Sequence, residues 1–199
     1  MKFAFIDTET SGLDPLINAP IQISGIIDID GAVQEEFDFY VKPFPNKKID
    51  DYALKVNNLT KEKIETFEEP KIVYNKLLSI FDKHVDKYNK QDKFFIVGQN
   101  ISFDYSMLDQ FFKDNGNKYF YSYVDYHKID LIAISTLMKL AGKIQIDNLK
   151  LETCAKAFNL EFKAHNSMED IRVTRELFYK YLDIVKGVKW KKRFLIKVL

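Results

Sequence analysis

Two carboxylates two positions apart, Asp7 and Glu9, close an apolar run that begins at Phe3. Side chains alternate along a strand, so both acids point to one side of the sheet, about 7 Å apart along the backbone. Unpaired acids at the end of a buried run repel each other and resist desolvation; a hard divalent cation between them is the simplest remedy. Asp104 lies in the first turn of an expected helix, where complementing the helix dipole is the plain alternative to a chemical role. Asp170 closes Ser167-Met168-Glu169-Asp170, which also reads as a capping box. His165, five positions ahead of Asp170, is suited to take a proton from an attacking water, because imidazole titrates near neutrality. His84 and His127 lack such company and read as surface or hydrogen-bonding groups.

The elements that must position these groups follow from periodicity. Apolar runs at residues 2–7, 20–29 and 33–42, with Asp30-Gly31 as a turn signal, predict a meander of three strands. Residues 50–67 carry short helical spacing, with Thr60 as a helix start. A longer helix is predicted from Pro70, with Ile72, Val73, Leu77, Ile80, Phe81 and Val85 inward. Phe94 to Gly98 reads as a buried strand, 102–112 as a helix ended by Asn115-Gly116, and the aromatic stretch 119–126 as a fifth strand. Helices are expected at 130–141, at 148–158 behind an Asp147-Asn148 cap, and at 167–185. Strands followed by alternating helices and strands imply an α/β fold, a mixed five-stranded sheet flanked by helices.

The bulk numbers fit that architecture. The 199 residues, 46% hydrophobic and 15% aromatic, suffice for one domain with a proper core and argue against disorder. The single cysteine, Cys154, has no partner for an internal disulfide, and no leader or long apolar run stands out; a soluble, cytoplasmic protein without membrane association is expected. The net charge of +1 hides an asymmetry. Residues 186–199 hold six basic residues and no acid, leaving −5 on the first 185. The expected division is a domain over 1–185 and a basic tail or helix over 186–199. Trp190 and Phe194 in that tail suit a packing helix, with phosphate binding or docking to a partner as the alternatives.

In order, Phe5-Ile6-Asp7-Thr8-Glu9-Thr10-Ser11-Gly12-Leu13, Asn100 to Asp104, and Ala164-His165-Asn166-Ser167-Met168-Glu169-Asp170 resemble the three motifs of the DEDDh branch of the DnaQ-like 3′-to-5′ exonuclease superfamily. The four residues between His165 and Asp170 match the histidine branch rather than the tyrosine branch. Two departures stand out: Gln99-Asn100 where many relatives have His-Asn, and Asn57-Asn58 where many have His-Gly. Both spare the carboxylates and bear on contacts to the substrate strand.

The resemblance implies a ribonuclease H-like sheet and two Mg²⁺ or Mn²⁺ ions held by Asp7, Glu9, Asp104 and Asp170, with Asp7 bridging and His165 as general base. It implies that Thr8, Thr10, Gly12 and Asn100 help hold the terminal nucleotide, Gly12 by permitting a tight turn, and that Leu13 packs on its base. Phe103 reads first as a core residue, with stacking on a base as the alternative. The substrate implied is single-stranded or 3′-frayed DNA, in proofreading or repair, with a DNA polymerase as a candidate partner. An exoribonuclease is the nearest alternative, because the same catalytic set serves both sugars. A noncatalytic nucleic-acid-binding module and a phosphatase using Asp7 as nucleophile fit the motifs less well.

Overall fold

The computed structural model describes residues 1–161 and 167–187. Three strands open the chain, β1 (Lys2–Thr10), β2 (Pro20–Ile29) and β3 (Ala32–Tyr40), joined antiparallel. The β2–β3 hairpin turns through Asp30 (φ 54°) and Gly31 (φ 88°), two consecutive positive angles of the kind that match strand twist in a two-residue turn. Next come α1 (Asp51–Val56), α2 (Lys61–Ile64) and α3 (Pro70–His84). Thr60 caps α2 by accepting from Lys63 N at 3.2 Å. Strand β4 (Phe95–Gly98) then pairs parallel with β1 and leads into α4 (Ile101–Asp114). The short β5 (Ile129–Asp130) pairs parallel with β4 and runs into α5 (Leu131–Leu140), α6 (Leu151–Lys156) and α7 (Ser167–Gly187). The sheet order is β3-β2-β1-β4-β5, so β1 is central.

Burial on both faces explains the nearly unbroken apolar run of β1. Ala4 and Ile6 join Ile23 and Ile27 against α3 and α4, through residues such as Leu77, Phe81 and Phe112. Phe3 and Phe5 join Ile26 and Val97 against α5, α6 and α7, where Leu131, Cys154, Leu177 and Phe178 are buried. Asp28, fully buried, is met by Arg175 Nη2 at 2.6 Å and Nε at 2.7 Å and by the Tyr179 hydroxyl at 2.9 Å, which fixes α7 to the end of β2.

Four expectations are corrected. Residues 119–126 form no strand but a 3-10 helix over Phe120–Ser122 and a lone bridge from Val124 to Phe94; the fifth strand is Ile129–Asp130. Phe120 and Tyr123 are three apart and buried, Phe120 lying 4.8 Å from Phe112 and Tyr123 5.8 Å from Phe81, so aromatic packing rather than alternation shapes the segment. Ile72 is half exposed, and Tyr74 takes the inward position beside Val73 and Leu77. The helix expected at 148–158 is only Leu151–Lys156, because Asn148 Oδ1 accepts from Lys150 N and from the Thr153 hydroxyl in a local turn. Finally, the helix expected over 167–185 runs on to Gly187 as α7; Trp190, Phe194 and the rest of the tail lie outside the described residues.

Candidate active site

The carboxyl end of β1 is where helices from both faces of the sheet converge. Asp7 and Glu9 face the α7 side, paired across the sheet with Ser24 and Gln22. Asp104 arrives from α4 on the other face and is almost completely buried. Its Oδ1 accepts from the Thr8 hydroxyl at 2.7 Å and from Thr8 N at 2.9 Å. From α7, Ser167 donates its hydroxyl to Asp7 Oδ2 at 2.9 Å, and Asp170 lies one turn further along the same helix. Ser167 thus serves the site directly, a role that its place in a capping-box sequence does not suggest.

These acids burden one another. Burial pushes the Asp7 carboxyl above its ordinary value, with the Ser167 bond pulling the other way. Burial, then the charges of Asp7 and Asp170, lifts Glu9 to about 7. Burial, then Asp7, lifts Asp104 to about 8 despite its bonds from Thr8. Among the described residues, no lysine or arginine forms an ion pair with Asp7, Glu9 or Asp104. A divalent cation fits this set chemically, since the donors are hard oxygens and their mutual repulsion is what a cation relieves. Among the described residues, no three His, Cys, Asp or Glu side chains yet converge as a ready-made metal cage. One oxygen each of Asp7 and Asp104 is held by Ser167 and Thr8 instead. His165 lies outside the described residues.

Beside Glu9 opens a cavity of about 310 Å³. Thr8, Thr10, Gly12, Leu13 and Phe103 all line it, whereas Asn100 does not. Asn100 forms the left-handed entry to α4 (φ 58°) and donates its backbone N–H to Asp130 Oδ1 at 3.1 Å. Phe103 is half buried on the cavity rather than in either core cluster, which corrects its reading as a core residue: it lies on the outward side of α4's first turn. Thr8 and Thr10 have their hydroxyls engaged within the chain, Thr10 donating to Gly12 O at 2.7 Å, so their contribution is to shape the wall.

Gly12 is needed for closeness and not for an unusual φ. A Cβ there would stand 2.2 Å from Asp50 Oδ2 and 2.3 Å from Asn18 Nδ2. The opposite wall is α1, with Asp50, Tyr52, Val56 and Asn57, and the sequence reading missed it as a wall. Asn57 donates to Thr10 O at 3.2 Å, and Asn58 adopts φ 51° where many relatives have glycine. Only the departure at Asn57-Asn58 pointed toward this region. Gln99, the other departure, donates to Leu149 O at 2.6 Å and ties the entry of α4 to the loop before α6.

The α/β sheet brings acidic groups to the carboxyl end of its central strand, with Glu9 beside a cavity large enough for one small ligand. The chain matches the exonuclease family model over residues 4–178 and belongs to that family. It is 23% identical over 188 residues to the PolC-type DNA polymerase III of Thermotoga petrophila, a match covering 94% of this chain and 12% of the relative. A PolC-type DNA polymerase III of Mycoplasmopsis pulmonis is 30% identical over 114 residues, 57% of this chain and 7% of the relative. The chain therefore spans about an eighth or less of the length of these curated relatives.

Among solved structures, E. coli exonuclease I in complex with a dT13 oligonucleotide aligns with TM-score 0.72 and 23% identity, covering 91% of this chain and 40% of that one. The zinc-bound form of an E. coli exonuclease I complex with single-stranded DNA aligns at 0.75 and 22%, covering 94% and 41%. The expected ribonuclease H-like α/β fold is the one observed. Among the described residues, no helix is long and apolar enough to cross a membrane.

Proposed function

We propose that the chain is a metal-dependent 3′-to-5′ exonuclease that releases 5′-mononucleotides from single-stranded or frayed DNA. The observation that carries this is the mutual repulsion among buried acids from β1 and α4, Asp7 raising both Glu9 and Asp104, with Glu9 lining a nucleotide-sized cavity. The family match supports exonuclease chemistry, and the polymerase relatives support DNA as substrate, a proofreading or repair role, here assigned to the cytoplasm, and a DNA polymerase as partner.

Asp7, Glu9, Asp104 and Asp170 would hold two divalent cations, Mg²⁺ or Mn²⁺. When bound, the pair supplies charge stabilisation to the attacking and leaving oxygens of an in-line displacement. The chain's own residues do the rest. Leu13, Tyr52, Val56 and Phe103 give the terminal nucleoside an apolar seat and exclude water from it. Ser167 holds Asp7 in orientation. His165 accepts the proton of the water that attacks phosphorus; the P–O3′ bond breaks, and the new 3′ oxygen of the shortened strand takes up a proton from solvent.

The test is digestion of 3′-labelled and 5′-labelled DNA and RNA strands with Mg²⁺, Mn²⁺ or EDTA. Stepwise shortening of DNA from the 3′ end, abolished by EDTA and by Asp7→Ala, is expected. Hydrolysis that survives Asp7→Ala would sink the proposal, and faster digestion of RNA would reassign the substrate.

A further inference from the structure

The amino end of β4 carries a second cleft that hydrolysis does not use. A groove of about 650 Å³ opens beside Lys93 and Val124, where Val124 bridges Phe94. Strands β1 and β4 are parallel, and Asp7 lies beyond the Phe5–Val97 pair, so the carboxylates and this groove sit at opposite ends of the sheet. Lys87, Lys90 and Lys93 line it against one acid, Asp125, which is hydrogen-bonded to His127 at 2.7 Å. Lys87 pairs with Asp82, and Lys93 donates to the Ser122 carbonyl. Lys90 makes no ion pair or hydrogen bond among the described residues.

Three rings rim the same groove: Tyr88, Tyr126 and Tyr121, which are 86%, 71% and 57% exposed. Single exposed aromatics are ordinary, but three around one basic groove form a stacking surface. Outside the groove, the exposed Lys128 places its ammonium 4.4 Å over the ring of Tyr105, the residue after Asp104.

We propose that this groove binds single-stranded nucleic acid and holds the body of the strand whose 3′ end occupies the catalytic pocket; the inference rests on the exonuclease reading above. Its chemistry suits an unpaired strand. Tyrosine rings stack on any base face, lysines follow phosphates, and a duplex would keep its base faces covered.

Two measurements test it. Steady-state hydrolysis is compared for an oligothymidylate of about 16 nucleotides and for a dinucleotide, using the unaltered protein, a Tyr88→Ala/Tyr126→Ala variant, and Lys90→Glu. Both variants should raise KM for the long strand about tenfold or more while leaving kcat and the dinucleotide kinetics unchanged. Anisotropy of a labelled long strand in EDTA should show the same loss, with a shallower salt dependence for Lys90→Glu. Long-strand binding unchanged in both variants would overturn the groove and leave the surface to a protein partner. Equal losses on both substrates would overturn it too. Lys90 is exposed, so Lys90→Glu remains informative if the tyrosine variant misfolds. If the unaltered protein hydrolyses nothing, the exonuclease reading fails, while anisotropy still decides whether the groove binds a strand.

Discussion

The Ser167 hydroxyl donates to Asp7 Oδ2 at 2.9 Å and thereby joins the first turn of α7 to the carboxyl end of β1 across 160 residues of chain. That bond lowers the Asp7 carboxyl against the burial that raises it. Ser167→Ala should move the acidic limb of the pH–rate profile upward, cut turnover severalfold at neutral pH, and cost about 1 kcal/mol of stability. Ser167→Thr, which keeps the hydroxyl, should restore most of the rate. An unshifted acidic limb in Ser167→Ala would show that the hydroxyl does not govern Asp7.

Stability of the metal-free protein should fall with rising pH. Glu9 and Asp104 are lifted to about 7 and about 8 in the fold, against ordinary values of 4.5 and 3.8. The folded state therefore binds more protons than the unfolded one, so their contribution is complete below about pH 4 and is lost as pH rises through 7 and 8. In EDTA, the melting temperature should be lower at about pH 8 than at about pH 5, with a flatter slope in Glu9→Gln. Added Mg²⁺ should stabilise most at the higher pH, because it binds ionised carboxylates. A Glu9→Gln slope identical to that of the unaltered protein would contradict the shift.

The Asp28–Arg175 pair should carry much of the docking of α7. Arg175→Ala leaves the buried Asp28 carboxylate, among the described residues, with Tyr179 and the Gly31 N–H as donors, and a cost of about 3–5 kcal/mol is expected in urea unfolding. The double change Asp28→Asn/Arg175→Met should recover a large part of that loss, since it removes the uncompensated charge. A loss below 1 kcal/mol, roughly the value of an exposed pair, would show that the clamp is incidental.

Gly12→Ala should harm the site more than an ordinary glycine substitution. Its Cβ would fall within 2.4 Å of Asp50 and Asn18, forcing the cavity wall outward and raising KM. Gly116→Ala, at φ +84° with open space around it, should cost about 1 kcal/mol with unchanged kinetics. Kinetics of both variants, read beside their melting curves, separate the effects.

Local pattern alone determined much of this protein. The alternating and continuous apolar runs of β1, β2 and β3, the Asp30-Gly31 turn, the Thr60 cap and the long helices α3, α4 and α7 are legible because their signals lie within a few residues of one another. The acidic motifs were legible for the same reason, as short runs in order. Where the deciding partner is distant, the sequence is silent. The stretch 119–126 looks like a strand until Phe112 and Phe81 claim Phe120 and Tyr123. Nothing in the sequence pairs Tyr52 and Val56 with Leu13 and Phe103, yet the four line one cavity. Gly12 looks like a turn glycine until Asp50 and Asn18 arrive beside it. Residue type and spacing named the acids; only the packing of α4 and α7 on opposite faces of β1 set Asp104 against Thr8 and Ser167 against Asp7, because contact across 96 and 160 residues leaves no periodicity to read.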